Sequence, residues 1–287
     1  MFDPKEALKS GIYIGGGKGS GKTTTAHKLI DILMKNGVIV YIFDNSQAWL
    51  DRSTVPYYIK INKIPFSIDF TIDKSVVFDI SELYVEEQQL VVAEFCKQLF
   101  TTQVKLPKEK RKWVYIILEE AQTYIPEGSM RSKAAREIKR LITVGRNFCI
   151  GFGLITQFPS TVDKLSIKAT NQKYFGRTSE PNDISYISGF LGKEYSEKLS
   201  SLNVGQFIYS NAGKMDITQF EYFESKTPPT QLNIVKTGSV QPESGLGFLG
   251  TPKTEEEEMS DSDKAKALVL IFFGALLIFL ILWAILP

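Results

Sequence analysis

Apolar residues along the chain fall into two kinds of stretch. "VIVYIFD" (38–44), "VVFDI" (76–80), "WVYIIL" (113–118) and the run at 148–155 are short and almost continuously apolar. Segments of that length without alternation suit strands covered on both faces. "GIYIGGG" (11–17) is a shorter run that enters a glycine loop. Between these runs lie helical stretches at 22–36, about 84–104 and 131–144, the first stopped by Asn36-Gly37. Apolar strands alternating with helices predict an α/β domain with a mostly parallel sheet. After 172 the pattern becomes mixed, with short strand candidates at 172–177, 206–209 and 216–223.

The composition changes near residue 226. From there to 263 the chain is rich in Pro, Gly, Ser and acid, and reads as a flexible linker. "ALVLIFFGALLIFLILWAIL" (267–286) then runs uncharged and apolar. A helix of that length spans about 30 Å, the hydrocarbon thickness of a bilayer. Residues 264–287 therefore read as a C-terminal transmembrane anchor, and residues 1–225 as the globular domain. Lys264 and Lys266 precede the apolar run and favour a cytoplasmic location for the domain, while Trp283 suits the far interface. "MFDPKEALKS" has no apolar core of a signal peptide.

The 287 residues and 43% hydrophobic content suffice for one sizeable core. Net charge is +2, yet residues 255–287 hold six acids and two lysines, so the rest of the chain is mildly basic. Two cysteines, Cys96 and Cys149, build no disulfide framework, and a single histidine, His27, excludes His-based metal clusters and triads. A reducing compartment is the expectation.

"GGKGSGKT" (16–23) has the spacing G-x-x-x-x-G-K-[ST] between a predicted strand and a predicted helix. That context marks a phosphate-binding P-loop. Gly16, Gly17, Lys18, Gly19, Ser20 and Gly21 form the cradle, where backbone N–H groups meet phosphates. Lys22 can reach the β- and γ-phosphates, Thr23 can ligate Mg²⁺, and Thr24 lies in the first helical turn. The spacing of a dinucleotide fold is absent. The apolar run "WVYIIL" ends in Glu119-Glu120. A carboxylate at a strand end facing the P-loop serves Mg²⁺, so Glu119 is the metal-side candidate and Glu120 the catalytic base. An acidic pair opening a helix is the plainer alternative. "GFGLITQFPS" (151–160) ends its run in Thr156-Gln157. If that strand lies beside the P-loop strand, Gln157 approaches the γ-phosphate and can sense it or hold the attacking water.

"GGGKGSGKTTTA", "YIILEEAQTYIP" and "VGRNFCIGFGLITQFPS", in this order, resemble the HerA/FtsK superfamily of hexameric ATPases over roughly residues 10–223. The resemblance implies a RecA-like P-loop NTPase fold, ATP with Mg²⁺, and a homo-oligomeric ring, hexameric in that family. By position it assigns nucleotide binding to Lys22 and Thr23, the acidic pair to Glu119 and Glu120, and the polar sensor to Gln157. Arg146 matches an arginine that can serve a neighbouring subunit's site as a finger. Gln122 stands where cellular HerA proteins often have His. The chain looks more like compact viral and mobile-element ATPases that package or export DNA, with a looser similarity to Zot-type assembly ATPases of filamentous phages.

Two basic stretches can meet DNA phosphates without reading bases. They are "KLPKEKRK" (105–112) and "RSKAAREIKR" (131–140), the latter with Lys133, Arg136 and Arg140 on one helix face. Each is equally explained as solvated surface. The combined expectation is a membrane-anchored ATPase that moves DNA in genome packaging or transfer. The alternatives are a Zot-like ATPase for virion assembly or secretion, and a membrane-bound GTPase switch. The last needs a guanine-reading Asn-Lys-x-Asp, which "NQKY" (171–174) does not supply.

Overall fold

A computed structural model describes residues 2–51, 53–64, 68, 70, 73–128, 132–222 and 228–232. The anchor segment 267–286, most of the linker and Arg131 lie outside the described residues. In chain order the elements are α1 (Pro4–Ser10), β1 (Ile12–Gly15), α2 (Lys22–Lys35), β2 (Ile39–Asp44), β3 (Tyr57–Lys60) and β4 (Val76–Asp79). There follow α3 (Val85–Lys105), β5 (Val114–Leu118), α4 (Lys133–Val144), β6 (Ile150–Thr156), α5 (Lys164–Ala169) and β7 (Gln172–Gly176). The last are α6 (Pro181–Ser196), β8 (Gln206–Asn211), β9 (Lys214–Gln219) and β10 (Thr230–Gln231).

One sheet carries all ten strands in the order β10-β3-β4-β2-β5-β6-β1-β7-β8-β9. Pairing is parallel from β10 through β7, and antiparallel at β7–β8 and β8–β9. The continuous apolar runs are central strands because both faces are covered: every residue of β1, β4, β5 and β6 is buried. On one face, Ala26, Leu29, Ile30 and Leu33 of α2 pack with Ile14, Val40, Ile42 and Ile117. On the other, α3 and α4 bring Val91, Phe95, Leu99, Ile138 and Leu141 to Phe43, Phe78, Ile116 and Leu154. Close fit in the middle of the sheet depends on Gly153, where a Cβ would lie 2.6 Å from the Ile117 side chain.

The predicted strands and helices are present with ends shifted by up to a few residues. The mixed region beyond 172 resolves into β7 and the β8–β9 hairpin, which close one side of the sheet. Four elements without a strong period were not expected: α1, β3, α5 and α6. The short β10 was not expected either, and it lies inside the stretch read as linker. Its backbone pairs with β3, and Leu232 N–H donates to Tyr58 O at 2.8 Å. Residues 228–232 thus belong to the sheet edge.

The single histidine is buried at 5% exposure on α2, its ring 4.0 Å from the Trp49 indole by centroid. Burial lowers its pKa to about 4. A folded pKa below the unfolded value means that the unfolded chain binds the proton first. Stability from this group is full above the unfolded value near 6.5 and falls as pH drops toward 4. The expected loss between pH 7.5 and pH 5 is roughly 2 kcal/mol. Denaturant titrations at the two pH values should show it, and His27→Gln should flatten that part of the pH dependence.

Candidate nucleotide site

The P-loop occupies the turn between β1 and α2, at the carboxyl edge of the sheet. Gly21 caps α2 with left-handed backbone (φ 97°) and offers no side-chain cap, so the first amides of the helix remain available to an anion. A Cβ at Gly21 would lie 3.0 Å from the Gly205 nitrogen, because the loop before β8 touches the P-loop directly. Gly205 N–H donates to Ser20 O at 3.0 Å. Lys22 is buried and its ammonium donates to Gly17 O at 3.0 Å, spanning the loop it must stabilise. Thr23 and Thr24 are half-buried in the first turn of α2.

Neighbouring strand ends bring the acidic residues to the same edge. Phe43 is in register with Leu118, so Asp44 and Glu119 follow side by side, both buried. Asp44 is satisfied: its carboxylate accepts N–H groups from Ser46, Ala48 and Trp49 and the Ser46 hydroxyl. Glu119 Oε2 has no hydrogen-bond partner. Burial, then Asp44 and Glu120, push the Glu119 carboxyl up to about 8, against the pull of the nearby Trp49 indole N–H and of Lys22. Burial lowers the Lys22 pKa in turn, opposed by Glu120 and Glu119. Lys22, Asp44, Glu119 and Glu120 thus share one electrostatic field.

Glu120 leaves the strand with left-handed backbone (φ 49°, ψ 57°), a conformation that costs a non-glycine residue about 1–2 kcal/mol. The turn aims its carboxylate toward the end of β6. There Gln157 donates its side-chain amide to Glu120 Oε1. Strand β6 lies between β5 and β1, with Gly15 in register with Thr156. Lys22, Glu119, Glu120 and Gln157, read from separate motifs, therefore converge on three adjacent strand ends.

Arg146 is elsewhere. It is exposed on the short 3₁₀ turn Gly145–Phe148 that precedes β6. Seven residues of β6 separate it from Gln157, a span of roughly 20 Å. Its neighbourhood is basic and aromatic. The Arg111 guanidinium stacks 5.0 Å from the Phe148 ring and donates to Asn147 O at 3.2 Å, and Arg140 stacks 4.0 Å from Phe100. Thus the two basic stretches read from sequence both reach the turn region that carries Arg146. Lys133 and Arg136 lie exposed at the other end of α4. Lys112 pairs with Asp73 and Lys139 with Asp163.

Sequence reasoning assigned no role to Asp44, Arg177 or Gln122. Asp44 shows only as the polar end of an apolar run. Arg177 follows β7, and its carbonyl accepts the Gly17 N–H at 2.8 Å while its side chain is exposed. Its place beside the P-loop depends on β7 pairing with β1, which no local pattern reveals.

No family model matches the chain. Curated relatives include the probable helicase MJECL08 of Methanocaldococcus jannaschii, 27% identical over 150 residues, covering 49% of this chain and 29% of that protein. The DNA double-strand break repair helicase HerA of Sulfurisphaera tokodaii is 26% identical over 188 residues, covering 59% of this chain and 38% of its own length. The chain thus spans about a third of the length of these relatives. Among solved structures, the genome packaging NTPase B204 of Sulfolobus turreted icosahedral virus 2, in complex with ATP-gammaS, superposes with a TM-score of 0.55. It is 19% identical, and the match covers 74% of this chain and 97% of B204. That similarity shows a common fold.

Two substitutions separate binding from chemistry. Lys22→Ala should abolish nucleotide turnover, since a methyl group cannot stabilise the transferring phosphoryl group. Glu120→Gln should retain ATP binding and lose hydrolysis by about 10²-fold or more. A fluorescent ATP analogue measures the first quantity and phosphate release the second. With a P-loop, an acidic pair and Gln157 converging on one sheet edge, the chain is similar in sequence to the HerA helicases and shares its fold with B204, both in keeping with a P-loop ATPase of the HerA/FtsK type.

Proposed function

We propose that the chain couples ATP hydrolysis to movement of DNA, in genome packaging or transfer. The observation that carries the reading is the contact of Glu120 with Gln157 at the strand ends beside the P-loop. In this reading the P-loop amides and Lys22 hold the phosphates, and Glu120 takes the proton of the attacking water. Gln157 orients that water or reports the γ-phosphate. Mg²⁺ fits the donor set: Glu119 offers a buried carboxylate oxygen without a partner, and Thr23 follows Lys22. The two residues would hold the ion directly or through water, and it would neutralise phosphate charge.

The proposal of a ring, hexameric as in the family, rests on Arg146. An arginine one strand length from its own P-loop cannot serve that site, but its exposure leaves it free to serve a neighbour's. A trans arginine is worth about 10³–10⁵ in rate in well-studied NTPases. DNA as the cargo is supported by what the relatives are named for, helicase and genome packaging, and by the exposed lysines at 105, 108 and 110. The segment 267–286 supports a single-pass membrane anchor with the ATPase domain on the cytoplasmic side, or in a virion membrane.

ATP turnover should rise with added double-stranded DNA and, more steeply than linearly, with protein concentration. Arg146→Ala should bind ATP and remain inactive, yet recover turnover when mixed with Lys22→Ala under conditions where subunits exchange. No recovery in mixed assemblies assigns Arg146 to its own subunit, and no DNA stimulation points to assembly or secretion instead. Separately, the full chain should stay with membranes after carbonate extraction, whereas a chain ending at Thr254 should be released.

A further inference from the structure

Beyond the residues already given roles, the site contains a side chain whose two ends are both committed. Gln122 lies in the 3₁₀ turn Ala121–Thr123, just past Glu120. Its amide nitrogen donates to Glu120 Oε2 at 2.8 Å. Its amide oxygen accepts the Thr156 hydroxyl at 2.7 Å. Thr156 is fully buried at the end of β6, and its oxygen also accepts the Phe158 N–H at 3.0 Å.

This chain of bonds has one consistent direction. The Phe158 amide can only donate, so it occupies one lone pair of the Thr156 hydroxyl and leaves the proton and the other lone pair for Gln122. The Glu120 carboxylate takes the NH₂ end of Gln122, which turns the carbonyl end to the Thr156 proton. An ionised Glu120 carboxylate accepts and cannot donate, so the match is complete. Gln157 takes the other carboxylate oxygen. The Glu120 side chain, carried on a left-handed turn, is thereby held between two amides, one of them fixed from β6 through a hydroxyl.

We propose that Gln122 and Thr156 act together as positioning residues for Glu120, fixing the orientation of its carboxylate so that Gln157 and the attacking water meet it in one geometry. The inference rests on the reading of Glu120 as the catalytic base. Thr156 reaches Glu120 only through Gln122, and the effect of both residues passes through the Glu120 carboxylate. The physical reason for such an arrangement is that a strand end alone leaves a glutamate with three rotatable bonds. Catalysis by a general base needs the carboxylate within hydrogen-bond reach of the water.

The test compares Glu120→Gln, Gln122→Leu, Thr156→Val and Thr156→Ser in the full chain, with melting temperature, ATP affinity, KM and kcat measured for each. Glu120→Gln should be inactive. Gln122→Leu and Thr156→Val should each lower kcat by about 10-fold or more, with KM and ATP affinity within about twofold of wild type. Thr156→Ser keeps the hydroxyl and should restore kcat to within about threefold. Gln122→Leu added to Glu120→Gln should cause no further loss, because the group it positions is gone. Wild-type kcat in Gln122→Leu beside an inactive Glu120→Gln would overturn the inference alone. Equal kcat in the Thr156→Val and Thr156→Ser variants, or losses confined to KM, would also overturn it. An active Glu120→Gln would instead remove Glu120 from the role of base.

Discussion

Two carboxylates buried side by side at adjacent strand ends, Asp44 and Glu119, set the terms for the rest of the site. Parallel pairing of β2 with β5 forces them together. The protein compensates them unequally. Asp44 is wrapped by the loop that follows it, with N–H groups from three residues and one hydroxyl. Glu119 keeps an oxygen without a partner and faces only the Lys22 ammonium as counter-charge. In the proposed function, Glu119 faces the cation, while Lys22 and the amides of α2 offer positive potential to phosphate.

The second carboxylate of the pair is treated differently. A regular strand would send Glu119 and Glu120 to opposite faces. The left-handed turn at Glu120 ends the strand and redirects its carboxylate along the sheet edge to β6. There the partners are neutral amides. Neutral donors hold a carboxylate without placing a counter-charge on it, in keeping with the role of base proposed for Glu120. One strand end thus presents two acids in distinct settings: one against charge, one against dipoles.

The opposite edge of the sheet has the complementary character. Arg111 and Arg140 lay their guanidinium planes on Phe148 and Phe100, and the two rings meet edge to face at 4.9 Å. Of the two, Arg111 packs directly on the turn that carries Arg146. A parallel sheet makes its two edges chemically unlike, because every β–α turn falls on one and every α–β turn on the other. The P-loop and the acids gather at the carboxyl edge here, and Arg111, Arg140 and Arg146 at the amino edge.

How much of this was legible in the sequence follows from the range of the interactions. The continuous apolar runs at 38–44, 76–80, 113–118 and 148–155 are too short for the helices that separate them and suit buried strands, so the central sheet was readable. The P-loop was readable as well, because spacing, glycines and flanking elements all lie within about twenty residues. Glu119, Glu120 and Gln157 were identifiable as strand-end polar residues, since polarity at the end of an apolar run survives in a linear pattern. The elements with no strong period, α1, β3, α5, α6 and β10, form through packing and edge pairing and leave little local trace. Strand order is likewise a long-range outcome. Only the insertion of β6 between β5 and β1 places Gln157 on Glu120, and only β7 beside β1 brings Arg177 to Gly17. The bridge from Thr156 through Gln122 to Glu120 was invisible for the same reason: its bond from Thr156 to Gln122 joins residues 34 positions apart, and only the paired strand ends bring them within reach.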